Sequence, residues 1–265
     1  MSFAGLSAAA CAVLRAADPA AKVALSVAVA RDWRSGAMRD IGHAAPPDRP
    51  ARPDRPALRR PGDMARRSRG RRGRVALLHA LAHIELNAID LAWDMIARFA
   101  GGVGERAFAD DWVTVAAEEA HHFELLCQRL AAFDAAYGDL PAHDGLWQAA
   151  QATADDVLAR LAVVPLVLEA RGLDVTPGII KGFERAGDTD SATMLRGIYH
   201  DEIGHVATGQ RWFEAICEQR GLVPTPTWQA LVRDRFAGHL KPPFNTAARA
   251  QAGLPESLYQ PLAEA

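Results

Sequence analysis

Residues 112–133, WVTVAAEEAHHFELLCQRLAAF, read as helix and carry an anomaly that decides the fold. At about 100° per residue, Trp112, Val115, Ala116, Phe123, Leu126, Leu130 and Phe133 form one apolar stripe. Glu119 and His122 fall inside it, while Glu118 and His121 point elsewhere. Residues three apart lie almost one above the other on a helix, so this glutamate and this histidine converge on one point.

The same pattern recurs along the chain. Around 75–100, Leu78, Leu81, Ala82, Ala88, Ile89, Ala92 and Ile96 form a face with Glu85 at its centre. His79, His83, Asn87, Asp90 and Asp94 occupy the opposite, polar side. His79 and His83 are an i, i+4 pair that faces away from Glu85. Over 145–173, Leu158, Ala162, Pro165, Leu166 and Leu173 surround Glu169. Over 191–220, Leu195, Ile198, Tyr199, Val206, Gly209, Phe213 and Ile216 enclose Glu202 and His205, repeating the Glu-x-x-His spacing. One glutamate on an apolar face is ordinary. Four together are not, because each uncompensated buried carboxylate costs roughly several kcal/mol, and no lysine or arginine occupies a stripe position. Divalent cations supply the missing charge. Carboxylates with imidazoles suit iron or manganese, and the absence of thiolates argues against structural zinc.

A glutamate from each of two helices, plus Glu-x-x-His from each of two others, is the ligand pattern of ferritin-like di-iron and di-manganese proteins. Glu85, then EEAHH at 118–122, then Glu169, then DEIGH at 201–205 resemble that superfamily over residues 75–220. More narrowly, HALAHIELNAIDLAWD, LEARGLDVTPG, DEIGHVATG and HLKPPFN look like a bacterial family of ferritin-like proteins of uncharacterised function. The tRNA-modifying di-iron hydroxylases are more distantly similar in ligand layout. The resemblance implies an all-α ferritin-like four-helix bundle whose metal ligands are Glu85, Glu119, His122, Glu169, Glu202 and His205. Glu119 and Glu202 are the expected bridges or near-bridges. Asp201 is a candidate partner for a metal-bound imidazole, and Tyr199, one turn from Glu202, for redox chemistry, for hydrogen bonding to a ligand or for packing.

The rest of the chain of 265 residues frames this bundle. Residues 1–33 read as two helices, Asp18 capping the second and Pro19 opening it. Residues 34–74, including APPDRPARPDRPALRRPGD and MARRSRGRRGR, have no apolar period and read as a Pro/Arg-rich strap across the bundle surface, the alternative being a basic arm for RNA, membrane or an acidic partner. The bundle itself is expected over 75–220. A small helix is expected at 176–186, with Thr176 as cap and Pro177 at its first position. Pro165 is expected to kink or locally unwind the helix before Glu169. Over 221–265, a helix after Pro226 precedes an extended tail.

The composition is that of a folded globular protein, with 49% hydrophobic and 23% charged residues, and a formal charge of -2 offers no basic excess for wholesale nucleic-acid binding. Cys11, Cys127 and Cys217 are too few and too far apart for a disulfide framework or a zinc motif, which points to a reducing cytoplasm. No run of about 18 uninterrupted apolar residues occurs, and the start lacks a basic leader. The expected activity is a dioxygen-dependent oxidoreductase with two iron ions, or manganese or a mixed pair, acting on a small organic substrate with an electron donor. Ferroxidase or iron handling is the alternative, as is a non-catalytic, metal-stabilised bundle with a basic binding arm.

Overall fold

The computed structural model describes residues 3–63 and 70–263. The chain is all-α. Among the described residues no strand forms, and an isolated bridge pairs Leu58 with Ala142. Two compact units divide it, Met1–Trp147 and Gln148–Ala265.

The first unit opens with α1 (Leu6–Arg15) and α2 (Pro19–Arg34). Asp18 caps α2 as its position demands, its carboxylate accepting from the Ala21 amide at 2.8 Å. α3 (Arg71–Met95) runs on into a π-helical turn, Ile96–Ala100, and a glycine turn, and α4 (Arg106–Ala131) returns against it as a helical hairpin. α3 thus starts four residues before Val75. Arg71 is drawn into the helix because its guanidinium donates to the Phe133 carbonyl at 2.7 Å, and Arg74 lies over the Phe133 ring. Two buried indoles of this unit find side-chain acceptors, Trp33 in Asp110 at 2.7 Å and Trp93 in Ser26 at 2.7 Å.

Residues 34–63 form the strap. Its Ala51 amide donates to Leu14, its Arg59 amide to Ala142, and its Asp48 carbonyl accepts from Trp147. Two of its arginines form ion pairs with carboxylates outside it, Arg49 with Asp144 and Arg52 with Asp90. Of the proposed arm, residues 64–69, with Arg66, Arg67 and Arg69, lie outside the described residues.

The polar side of α3 corrects the helical-wheel reading. His79, His83, Asn87, Asp90 and Asp94 are all buried, the two aspartates completely. Asp90 is paired with both Lys22 of α2 and Arg52 of the strap, and Asp94 with Arg98. Asn87 accepts from Arg52 at 2.6 Å. α3 is therefore enclosed on both sides, one face apolar around Glu85 and the other ionic. The helix and its continuation to Val103 are long and apolar enough to cross a membrane by length and composition, but 67% of the apolar window is packed inside the protein, as in a core helix.

The third expected helix is broken and lengthened. α5 (Gly145–Gln151) ends before a gap that Arg160 closes from inside, donating to Thr153 at 2.9 Å and to the Ala150 carbonyl at 2.7 Å. α6 (Val157–Val163) passes into a π-helical stretch, Val164–Glu169, with Pro165 as its second residue, so the expected local unwinding is present. α7 (Ala170–Arg185) then continues without a break, and Pro177 sits inside it instead of opening a new helix. A helix-internal proline leaves the carbonyl four residues back without its amide donor. Here the Asn245 side chain donates to that carbonyl, Leu173, at 3.2 Å.

α8 (Thr189–Gln219) packs along α7 and the π-helical stretch, and α9 (Pro224–Arg235) along α6. The tail is not all extended. Asn245 caps α10 (Thr246–Gln251), and α11 (Glu256–Ala263) buries Leu258 and Tyr259. These helices are too short to show a period, and packing decides them.

Candidate metal centre

α3 and α4 bring three predicted ligands together. Glu85, Glu119 and His122 are 5%, 1% and 1% exposed, and each offers a ligand atom within 4.8 Å of the others. His122 Nδ1 lies 3.7 Å from Glu85 Oε2 and 3.5 Å from Glu119 Oε2. Burial opposes a charge on this imidazole, yet the neighbouring carboxylates Glu119 and Glu85 outweigh it and lift its pKa to about 11. The pocket between these helices thus favours positive charge strongly. Two carboxylates and an imidazole converging in a buried space can hold a divalent cation.

The second unit holds the other three predicted ligands. On α8, His205 Nδ1 stands 3.6 Å from Glu202 Oε1, with His205 buried and the Glu202 side chain 14% exposed. Glu169 is the last residue of the π-helical stretch and is half-buried. Gly209, one turn after His205, sets how closely α8 approaches that stretch. A Cβ there would stand 2.5 Å from Pro165 Cβ and 2.6 Å from its Cγ. The absence of a side chain at 209 is therefore what lets the helix bearing Glu-x-x-His lie against the segment bearing Glu169.

Tyr199 is committed to the tail, its hydroxyl accepting from Asn245 Nδ2 at 2.9 Å. Burial raises its pKa and this hydrogen bond opposes the rise. Asp201 is half-buried beside Glu202. His79 and His83 bind protein groups. His79 Nε2 accepts from the Gly138 amide at 3.0 Å, and His83 bonds the Tyr137 hydroxyl at 2.8 Å and the His143 carbonyl at 3.0 Å. Burial drives the His83 pKa down to about 4, more than its bond to His143 restores.

Sequence reasoning passed over two groups that shape these ligand sets. The Lys22–Asp90–Arg52 cluster backs the ligand helix α3, and no local pattern announces it because its members lie far apart in the chain. Asn245 was visible only as the last residue of HLKPPFN, although it bonds both α7 and Tyr199 of α8.

The chain belongs to the family described as proteins of unknown function, DUF455, whose model matches residues 15–260. An uncharacterized protein of Haemophilus influenzae is 41% identical over 223 residues, covering 82% of this chain and 77% of that relative. No solved structure matches.

Proposed function

For this member of the DUF455 family we propose a di-metal carboxylate centre, ferritin-like in ligand layout, that serves a dioxygen-dependent oxidation of a small organic substrate. Glu85, Glu119, His122, Glu169, Glu202 and His205 are the proposed ligands, with two iron ions as the expected occupants and manganese or a mixed pair as the alternative. The observation that carries the reading is the buried Glu85–Glu119–His122 group, where the carboxylates stabilise positive charge despite burial. The donor set fits the metals. Oxygen and imidazole ligands without thiolate match iron and manganese.

Two such ions, when bound, supply redox chemistry toward dioxygen, with a separate electron donor. The chain does the rest. Burial of Glu119 and His122 keeps water away from the ligands on α3 and α4, and the fixed i, i+3 geometry holds each Glu and His to a common point. Asp201 is the residue we assign to orienting an imidazole. Cys11, Cys127 and Cys217 are free thiols, which supports a reducing compartment such as the cytoplasm.

The test is oxygen uptake. Protein purified from iron-supplemented cells, reduced with ascorbate and offered fractionated small-molecule extract, should consume dioxygen faster than the Glu119→Ala variant. Equal rates with every fraction would refute an oxidase or oxygenase role.

A further inference from the structure

A cavity of about 210 Å³ opens in the second unit beside the segment that carries Glu169. Val167 and Leu168, the two residues before Glu169, form part of its wall, and Phe236 and Phe244 supply aromatic surface. Its volume lies below the range of about 300–1,000 Å³ usual for ligand pockets, which restricts it to a small molecule.

The charged part of the lining is lopsided. Arg171, Lys241 and Arg249 contribute three cations and Asp174 one carboxylate, with His239 at the rim. Asp174 is spoken for, because Arg249 grips it through two contacts of 2.8 and 2.9 Å, both side chains being almost fully buried. Arg249 is also stacked against Phe244 and Tyr259 at 4.8 and 4.5 Å. Arg171 also lies 3.4 Å from Asp174, but one carboxylate against three cations leaves the cavity a positive excess, with exposed Lys241 and partly exposed Arg171 as its accessible charges.

The wall is built into the fold. Arg171 donates to the Lys241 carbonyl at 2.6 Å, and Asn245 is tied to Asp174 at 2.9 Å, to Leu173 and to Tyr199. These bonds fix the 239–245 loop against α7, which directly follows Glu169, and α8, which carries Glu202. A binding surface held this way loses little freedom on taking a ligand.

We infer that this cavity binds a small organic anion with a flat or apolar body, its carboxylate or other anionic group at Lys241 and its body between the aromatic rings and Val167 and Leu168. Its role as the substrate's site rests on the metal reading above; the binding itself does not.

The experiment is a ¹⁹F NMR titration of the full chain with 4-fluorobenzoate, with 4-fluorobenzyl alcohol as the neutral counterpart. Saturable binding of the benzoate, at least about tenfold tighter than the alcohol, is expected. Lys241→Glu should weaken it about tenfold or more while leaving the melting temperature and metal content unchanged, since Lys241 is exposed and is no proposed ligand. Glu119→Gln should bind the benzoate like the parent, so failure of the metal centre and failure of the cavity are read separately. The Mn(II)-loaded protein should broaden the bound ¹⁹F signal more than the Zn(II)-loaded protein. Absence of saturable binding, equal binding of the alcohol, or an unaltered Lys241→Glu variant would overturn the anion site. Equal line widths with the two metals would overturn its role as substrate site.

Discussion

The two units carry the same kinds of candidate ligand in different surroundings. In the first, Glu85 sits on one continuous α-helix, Glu119 and His122 on the next, and all three are buried. Behind α3 lies a second buried layer, the Lys22–Asp90–Arg52 cluster clamped by the strap. In the second unit Glu169 ends a π-helical stretch and Glu169 and Glu202 are half-buried. A cavity adjoins that stretch. The difference is one of enclosure: the candidate ligands of the first unit are buried on regular helices, whereas those of the second lie beside a π-helical stretch and an open cavity.

Removing a ligand from either unit should have the largest effect. Glu119→Ala and Glu202→Ala, analysed for metal by elemental analysis after growth in iron, should each fall from about two ions per chain to a small fraction of that. Retention of both ions in either variant would show that its residue is not a ligand.

The next test concerns the enclosure of α3. Asp90→Ala leaves the buried Lys22 ammonium without its carboxylate, and urea unfolding should show a loss of about 3–5 kcal/mol. Arg52 is partly exposed, so Arg52→Met should cost less. Similar losses from both would mean that the strap contact, and not the buried lysine, carries the energy.

Gly209→Ala probes the second unit. Its new methyl must displace Pro165 or push α8 away, so a loss of about 1–3 kcal/mol is expected, together with weaker metal retention. Gly204→Ala is the internal control on the same helix. It lies between Glu202 and His205, but a Cβ there meets nothing within 4 Å, so helix propensity predicts a gain of up to about 1 kcal/mol. If the two substitutions behaved alike, close approach at Pro165 would not be what sets the position of α8. The subtlest difference should appear in hydrogen exchange. Amides of 164–169 should exchange sooner than those around Glu85.

Much of this was legible in the residues. The apolar stripes with their interrupting glutamates gave the long helices, and the cap at Asp18 and the irregularity at Pro165 stood where local chemistry placed them. The polar face of α3 was misread because a helical wheel reports polarity and not partners. Lys22 lies 68 residues from Asp90, and nothing near either residue marks the pair. Pro177 was read as a helix start because the donor that spares the helix, Asn245, comes from a distant loop. The short tail helices likewise depend on burial of Leu258 and Tyr259, which no periodicity within eight residues can disclose.

Sequence by itself determined the all-α class, the residues that share a helical face and the Glu-x-x-His spacing, because these follow from 3.6 residues per turn acting over neighbours in the chain. Tertiary structure alone decided that α3 is buried on both faces, that Gly209 admits Pro165 and that the 239–245 loop walls a cationic cavity. Each of these depends on groups brought together across tens of residues, where contact is settled by packing and charge pairing and no local periodicity records it.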